Sequence, residues 1–570
     1  MADEVWMLQT KRADFGAIAE QFGIDPVTAR VIRNRGIEGK EEIERYLYGT
    51  LDGLYSPWLL KDMETAVNIL RKKLQEGKRI RIVGDYDIDG VCSTYLLYTA
   101  IKRLGGQVDY AIPDRIKDGY GINEAIIQAA HEDEIDTILT CDNGISAFYQ
   151  ISLAKEFGMT VIVTDHHEVP LDGENELLPP ADAVVNPKQK DCQYPFPEIC
   201  GAVVAYKLIE ALYEQAEVPR KEWLDLLEFA AIATVGDVMK LQDENRIIVK
   251  YGLQKMRNTK NLGLRKLAEK NNLDLDDVTA YHIGFVIGPC LNAGGRLQTA
   301  RLALSMLLAE NETEADSLAQ KLKELNDMRK DMTEQWTAKA KLLADTQYRD
   351  DKVLVIFLPE CHESLAGIIA GRLREYTHKP AIVLTRGEEA VKGSGRSIES
   401  YHMFQKLSEV KHMMLKFGGH PMAAGLSILE ENIDRFRDAL NEYSGLTEED
   451  FKEKVWIDVP MPIDYIRENL VNELKILEPF GQGNEKPLFA QKNVRIRSCR
   501  VLGKNKNVVK MVLEGEHGCA VDGLLFTDGL AFEEERDGRK LIDIVYYPEI
   551  HEYNGNRNLQ VVVRRYKFSR

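Results

Sequence analysis

At 570 residues the chain exceeds what one hydrophobic core can serve, so roughly three or four domains are expected. Apolar residues at 44% and charged residues at 29% are ordinary for a globular protein, and no apolar run reaches membrane-spanning length. The balance of 74 Lys and Arg against 91 Asp and Glu, net −17, excludes a uniformly basic nucleic-acid binder while leaving room for a local basic patch. Eight dispersed cysteines without a CxxC pair suit reduced thiols and argue against a zinc knuckle or disulfide framework. MADEVWMLQTKRADFG has no signal-peptide pattern, so a cytoplasmic location is expected.

In chain order, residues 1–50 read as a helical lead-in without chemistry. From about residue 60 to 245, short apolar runs alternate with helical patterns. RIRIV precedes VCSTYLLYTAIKRLG, QVDYAI precedes INEAIIQAAH, DTILT precedes ISAFYQISLAKEFG, and TVIVT leads into a turn. Such alternation predicts βαβ units and a mostly parallel sheet, with its ligand site beyond the carboxyl ends of the strands. Residues 311–347, charged and free of Gly and Pro, predict one long connecting helix. A second α/β unit follows (KVLVIFL, ESLAGIIAGRLREY, PAIVLT), then two Gly-rich stretches expected as loops, KGSGRS and KFGGHPMAAG. After EPFGQGNEKP, strand patterns such as NVRIRSCRVL and LQVVVRRYKF suggest a small all-β barrel.

The acidic motifs stand where the parallel-sheet reading puts a site. RIRIV runs into Asp85, Asp87 and Asp89; DTILT runs into CDNG with Asp142; TVIVT runs into Asp165, His166 and His167. Asp237 follows later, in AAIATVGDVM. If the chain stays extended through the first run, its period of two aims three carboxylates at one side. Mutual repulsion would then raise their pKa values unless a divalent cation intervened. Carboxylates mixed with imidazoles suit a pair of ions such as Mn²⁺, with Asp142 the natural bridging ligand. In the barrel, QKNVRIRSCRVLGKNKNVVK (491–510) carries seven Lys or Arg and no acid, with Phe480, Phe489, Tyr546 and Tyr547 nearby. That combination fits backbone electrostatics and base stacking on a single strand.

DYDIDG, CDNG, DHH and Gly236-Asp237, in that order, resemble the DHH phosphoesterases, and GGHPMAAG resembles the glycine-rich signature of their DHHA1 domain. IPDRIKDGYG, GPCLNAGGRL and EPFGQGN narrow the resemblance to the bacterial RecJ exonucleases, from about residue 50 onward. The resemblance implies an α/β fold: a parallel-sheet DHH domain (51–310) joined by a long helix (311–347) to a smaller α/β DHHA1 domain (348–450), then an all-β OB-fold domain (451–570). It implies 5′→3′ digestion of single-stranded DNA to 5′-mononucleotides with two Mn²⁺ or Mg²⁺ ions, in DNA repair and recombination. The substrate would run in a channel too narrow for a duplex. Metal ligation would fall to Asp85, Asp87, Asp89, Asp142, His166 and Asp237, with Asp165 supporting the imidazoles and His167 facing the scissile phosphate as electrophilic helper or as part of the ligand shell. Arg115, Arg296, Ser394, Arg396 and His420 would grip phosphates.

The expected partners are single-stranded DNA and a helicase or single-strand-binding protein, with no membrane and a monomeric chain. Cys290 stands where the family has Arg, and Asp114 where it has Asn; both departures are expected on the DNA-gripping surface. The competing readings are a DHH phosphodiesterase for nanoRNA or cyclic dinucleotides and a non-catalytic single-strand-binding scaffold.

Overall fold

The computed structural model describes residues 4–115, 117–553 and 556–568. They fall into two compact units, one of Trp6–Gly288, Leu307–Glu310 and Trp456–Arg570, the other of Met1–Val5, Pro289–Met306 and Asn311–Val455.

Near the start of the first unit stand three short helices, α1 (Phe15–Phe22), α2 (Pro26–Asn34) and α3 (Lys40–Tyr48). Asp14 and Asp25 cap the first two, each accepting a backbone N–H from the first turn. Next come β1 (Arg79–Val83), α4 (Ile88–Arg103), β2 (Gln107–Ala111), α5 (Glu124–Glu132), β3 (Thr137–Cys141), α6 (Phe148–Glu156), β4 (Thr160–Thr164) and β5 (Ala183–Val185). The strands pair in parallel in the order β2-β1-β3-β4-β5. Helices cover both faces, which is why β1, β3 and β4 are buried along nearly their whole length instead of at every second residue. The order reverses between β1 and β3, and the crevice beyond that switch point is where such sheets bind ligands. The covering helices α7 (Gly201–Gln215), α8 (Leu227–Gly236) and α9 (Asp243–Met256) follow.

The second unit holds the long helix α10 (Glu312–Thr346), capped by Asn311 and burying one face through Ala315, Ala319, Leu322, Asn326, Thr333, Thr337, Ala340 and Ala344. Its five-stranded sheet comprises β6 (Leu354–Phe357), β7 (Ala381–Arg386), β8 (Val391–Arg396), β9 (Met414–Gly419) and β10 (Ala423–Ile428), with α11 (Ala366–Thr377) crossing from β6 to β7. The order is β9-β10-β8-β7-β6, and only β6 and β7 pair in parallel. The two Gly-rich stretches expected as loops are therefore strands, KGSGR within β8 and the other folded into the β9–β10 hairpin. Close packing explains the glycines. A Cβ on Gly393 would lie 2.5 Å from Leu384 Cδ2, and one on Gly419 would lie 2.4 Å from the Ala423 carbonyl.

Back in the first unit, β11 (Phe489–Leu502), β12 (Val508–Glu514), β13 (Ala520–Phe526), β14 (Leu541–Tyr553) and β15 (Asn556–Phe568) form the barrel. They run β11-β12-β13-β15-β14, and β14 pairs back onto β11 to close the ring. Phe489, Tyr546 and Tyr547 are buried in its core, and Phe480 packs against that core. They are not the exposed stacking platform the sequence suggested; their apolar bodies pack with Met511, Leu513, Phe532 and Ile544 inside the barrel. Val31, Ile32, Ile43 and Leu47 of the leading helices, with Ile24 from the turn between α1 and α2, belong to the same core. One buried guanidinium stitches this assembly to the helices of the parallel sheet. From α9, Arg246 donates to the carbonyls of Tyr46 (2.9 Å), Leu477 (2.8 Å) and Ile476 (2.7 Å), and lies 4.1 Å from the Tyr46 ring. Among the described residues no helix is long and apolar enough to cross a membrane.

Candidate metal centre and phosphate-facing residues

The first acidic run does not remain extended. β1 ends at Val83 and α4 starts at Ile88, because the Asp87 carboxylate caps the helix, accepting the N–H groups of Asp89 (3.0 Å) and Gly90 (3.1 Å). Asp89 thus sits in the first helical turn, and the period-two explanation of the convergence is overturned. Gly90 is required here, since a Cβ would lie 2.5 Å from the backbone of Asp85. Asp85 is fully buried, with Oδ1 accepting the Gly121 N–H (3.2 Å) and Oδ2 without a hydrogen-bond partner.

At the end of β3, Asp142 adopts a left-handed backbone (φ 60°), which turns its side chain back over the strand ends. Asn143 holds that turn, donating to the carbonyls of Val83 and Cys141 and accepting the Ile122 N–H. At the end of β4, Asp165 is buried. Its Oδ1 accepts the His166 N–H (2.7 Å) and pairs with His167 Nδ1 (2.7 Å), while Oδ2 accepts the Ile145 N–H (2.9 Å). Asp237 follows α8 directly, with a side chain 31% exposed.

These loops meet. His166 Nε2 lies 3.1 Å from Asp142 Oδ1, 3.6 Å from Asp89 Oδ2 and 3.8 Å from Asp237 Oδ2. Three ligand groups result, each with its donor atoms within 4.8 Å of one another: Asp85, Asp87 and Asp142; Asp142, His166 and His167; Asp89, His166 and Asp237. Asp142 and His166 each belong to two of them.

The electrostatics demand a counter-charge. Burial, then the charge of Asp87, pushes the Asp85 carboxyl up to about 8; burial, then Asp89, pushes Asp237 up to about 8. Asp87 and Asp142 are raised by burial and by their neighbouring carboxylates. Burial lowers the His166 pKa, which keeps its imidazole neutral and able to ligate. His167 goes the other way. Burial opposes its charge, but the bond to Asp165 prevails and raises it to about 9, while Asp165 is lowered. Asp85 Oδ2, Asp142 Oδ1 and His166 Nδ1 are buried without a hydrogen-bond partner. Each orphan of this kind costs about 1–3 kcal/mol. Two carboxylate orphans aimed into an oxygen-and-imidazole cage fit divalent cations of the Mn²⁺ or Mg²⁺ kind.

Around this cage lie residues that the motifs did not single out. Tyr120 donates to the Asp142 carbonyl (2.6 Å), with its hydroxyl 3.2 Å from His167 Nδ1. Asn186 donates to the His167 carbonyl, and Lys188, paired with Glu168, adds positive charge that acts on His166 and Asp237. Only Tyr120 carried a signal, in the GYG segment. Arg115 lies 4.8 Å from the Tyr86 ring, and its charge acts on Asp85.

The remaining phosphate candidates lie in the second unit. Arg396 donates to Ser394 Oγ (3.1 Å) and to the Gly395 carbonyl, and Arg296 donates to the Ser364 carbonyl (2.9 Å). Gly367, in the first turn of α11, lets this group close in, since its Cβ would lie 2.9 Å from both Ser394 Oγ and Arg396 Nη2. His420 is exposed at the β9–β10 turn. Cys290, expected on a gripping surface, is fully buried and accepts from Asn326 Nδ2 on α10. A thiol suits that apolar packing site, so the departure is a core feature.

Residues 79–234 match the DHH family, N-terminal domain; residues 350–445 match the DHHA1 domain; residues 457–565 match the RecJ OB domain. Sheet, cage and domain set together define a DHH-type phosphoesterase with a metal centre at the switch point. The chain is 36% identical to the single-stranded-DNA-specific exonuclease RecJ of Bacillus subtilis over 98% of its own length and 70% of that protein's. It is 34% identical to the Escherichia coli RecJ, with 95% of each chain covered. The crystal structure of Thermus thermophilus RecJ in complex with Mn²⁺ superposes with a TM-score of 0.84 at 28% identity, over 99% of this chain and 80% of that one. The chain belongs to the RecJ family.

Proposed function

We propose that this protein is a metal-dependent exonuclease that degrades single-stranded DNA in the 5′→3′ direction, releasing 5′-mononucleotides. The observation that carries the reading is the pair of buried, partnerless carboxylate oxygens of Asp85 and Asp142 at the carboxyl ends of β1 and β3. Asp85, Asp87, Asp89, Asp142, His166 and Asp237 would hold two Mn²⁺ or Mg²⁺ ions, with Asp142 shared between them. Such an ion pair supplies an activated water and neutralises charge that develops on the phosphate.

The chain's own residues do the rest. Asp165 fixes the His167 ring and keeps it protonated, so the imidazolium presents positive charge to a phosphate oxygen. Tyr120 braces both His167 and the Asp142 backbone. Arg115, Arg296, Arg396, Ser394 and His420 are assigned to the phosphates of the strand, where guanidinium forks match phosphate geometry. The barrel adds electrostatic grip through exposed Lys492, Arg500, Lys504 and Lys506; Arg497 and Lys510 are already paired with Glu514 and Asp522. This reading places catalysis in residues 51–310, the connector in 311–347, phosphate grip in 348–450 and strand binding in 451–570. It further assigns the protein to DNA repair and recombination in the cytoplasm, as a monomer that meets a helicase or single-strand-binding protein.

A nanoRNA or cyclic-dinucleotide phosphodiesterase has no use for the barrel, and a non-catalytic scaffold has no use for the cage. Oligonucleotides labelled at either end test the reading. Early release of the 5′ label from single strands, with duplex spared, is expected; release from the 3′ end, or equal attack on duplex, would refute it.

A further inference from the structure

The two oxygens of Asp89 are spoken for by a helix that the cage does not otherwise use. Oδ2 accepts the N–H of Gly201 at 2.7 Å and Oδ1 that of Ala202 at 2.8 Å, the first two amides of the 15-residue α7. These amides have no partner within their own helix, and their dipoles favour a negative charge. Each Asp89 oxygen keeps one further lone pair, so the carboxylate is held in a fixed orientation with its ligating side turned to His166 and Asp237.

The same helix end meets the other half of the cage. A Cβ on Gly201 would lie 2.7 Å from Asp142 Cβ and 2.9 Å from both Asp142 Cα and Oδ1, closer than non-bonded carbons approach. Both backbone and carboxylate of Asp142 are in the way, so no rotation of one side chain relieves the contact. Asp142 is already pinned by its left-handed turn and by the Tyr120 bond to its carbonyl. The N-terminus of α7 is thus clamped between Asp89, a member of the third ligand group, and Asp142, shared by the first two.

We propose that Gly201 is a positioning residue that sets the spacing of the two cation subsites: its N–H fixes Asp89, and its missing side chain lets that N–H stand against Asp142. The inference rests on the two-cation reading above and adds the element that spaces the pair.

The experiment uses the full chain and Mn²⁺ alone. Wild-type protein should bind two equivalents by calorimetry and show the electron paramagnetic resonance spectrum of an exchange-coupled Mn²⁺ pair. Failure of the wild type to bind a pair sinks the two-cation reading and this inference with it. Gly201→Ala should weaken at least one equivalent by about tenfold or more, the usual effect of disturbing a ligand's supporting bonds, and should lose the coupled signal. Two equivalents at wild-type affinity with an intact coupled spectrum would overturn the role of Gly201 while leaving the cation reading standing.

A metal-free readout guards against a variant that merely folds badly. In Asp142→Gly the Cβ and carboxylate that obstruct position 201 are gone, so Gly201→Ala should lower the melting temperature less there than in the wild-type background. An equal drop in both backgrounds, or failure to fold in both, would overturn the proposal.

Discussion

The switch-point cage and the closed barrel use charge in opposite ways. In the cage, acids are driven under the surface: Asp85, Asp89, Asp142 and Asp165 are all buried, and two of them carry partnerless oxygens. In the barrel, the basic residues of 491–510 stand in solvent, while the aromatics meant to accompany them are buried. A charge under the surface is useful only with a partner, so the cage specifies its ligand narrowly. A charge at the surface is weak and additive, so the proposed grip of the barrel would carry no base preference.

The contrast is broken most severely by Asp142→Ala, which removes the residue shared by two ligand groups. Hydrolysis of a labelled single strand in Mn²⁺ should fall by at least about 10³-fold, while strand affinity measured with chelator present stays near wild type. Phe489→Ala opens a cavity in the barrel core and should cost about 3–5 kcal/mol in denaturant unfolding, an effect on the fold rather than on one base contact.

Acidity sharpens the comparison. The folded-state pKa of Asp85 is raised from its ordinary value to about 8, so its contribution to stability is complete below the unfolded value and is lost as pH rises through 8. Metal-free protein should therefore lose stability on the order of 1 kcal/mol per pH unit toward pH 8, and Mn²⁺ should bind more tightly as pH rises, with release of protons to the buffer. A metal-free melting temperature that climbs from pH 6 to pH 8 would contradict the buried-charge account. The smallest effect belongs to the barrel surface. Lys504→Ala and Lys506→Ala should each lower the salt slope of strand binding by about one and affinity by only a few-fold.

Much of this was legible in the residues. Asp142, Asp165 and His166 could be placed because each follows an apolar run in a strand–helix series, and parallel sheets deliver such loops to one edge. What failed did so for physical reasons. Alternating Asp fits period two if the strand continues through Asp87 and Asp89; the capping strength of Asp87 decides otherwise. KGSGR was read as a loop because glycine usually marks one, whereas here it marks strands packed too closely for side chains. Phe489 and Tyr546 carried no label to say whether they faced in or out, and barrel closure decided. Cys290 stands at a position where sequence suggests a surface arginine, but it is buried against Asn326. Gly201, in an ordinary helix-opening CGAVVAY, gave no sign of the contact it permits, since that contact is made by residues far apart in the chain.

Arg246 has a consequence for how the two working parts cooperate. Its donors are spent on three carbonyls from the leading helices and the barrel's entry, and it rises from the helix that follows Asp237. The barrel is thus a bracket bolted to the catalytic body rather than a hand on a string. The offset between the barrel's outer face and the cage is therefore written into the packed core and not into a tether.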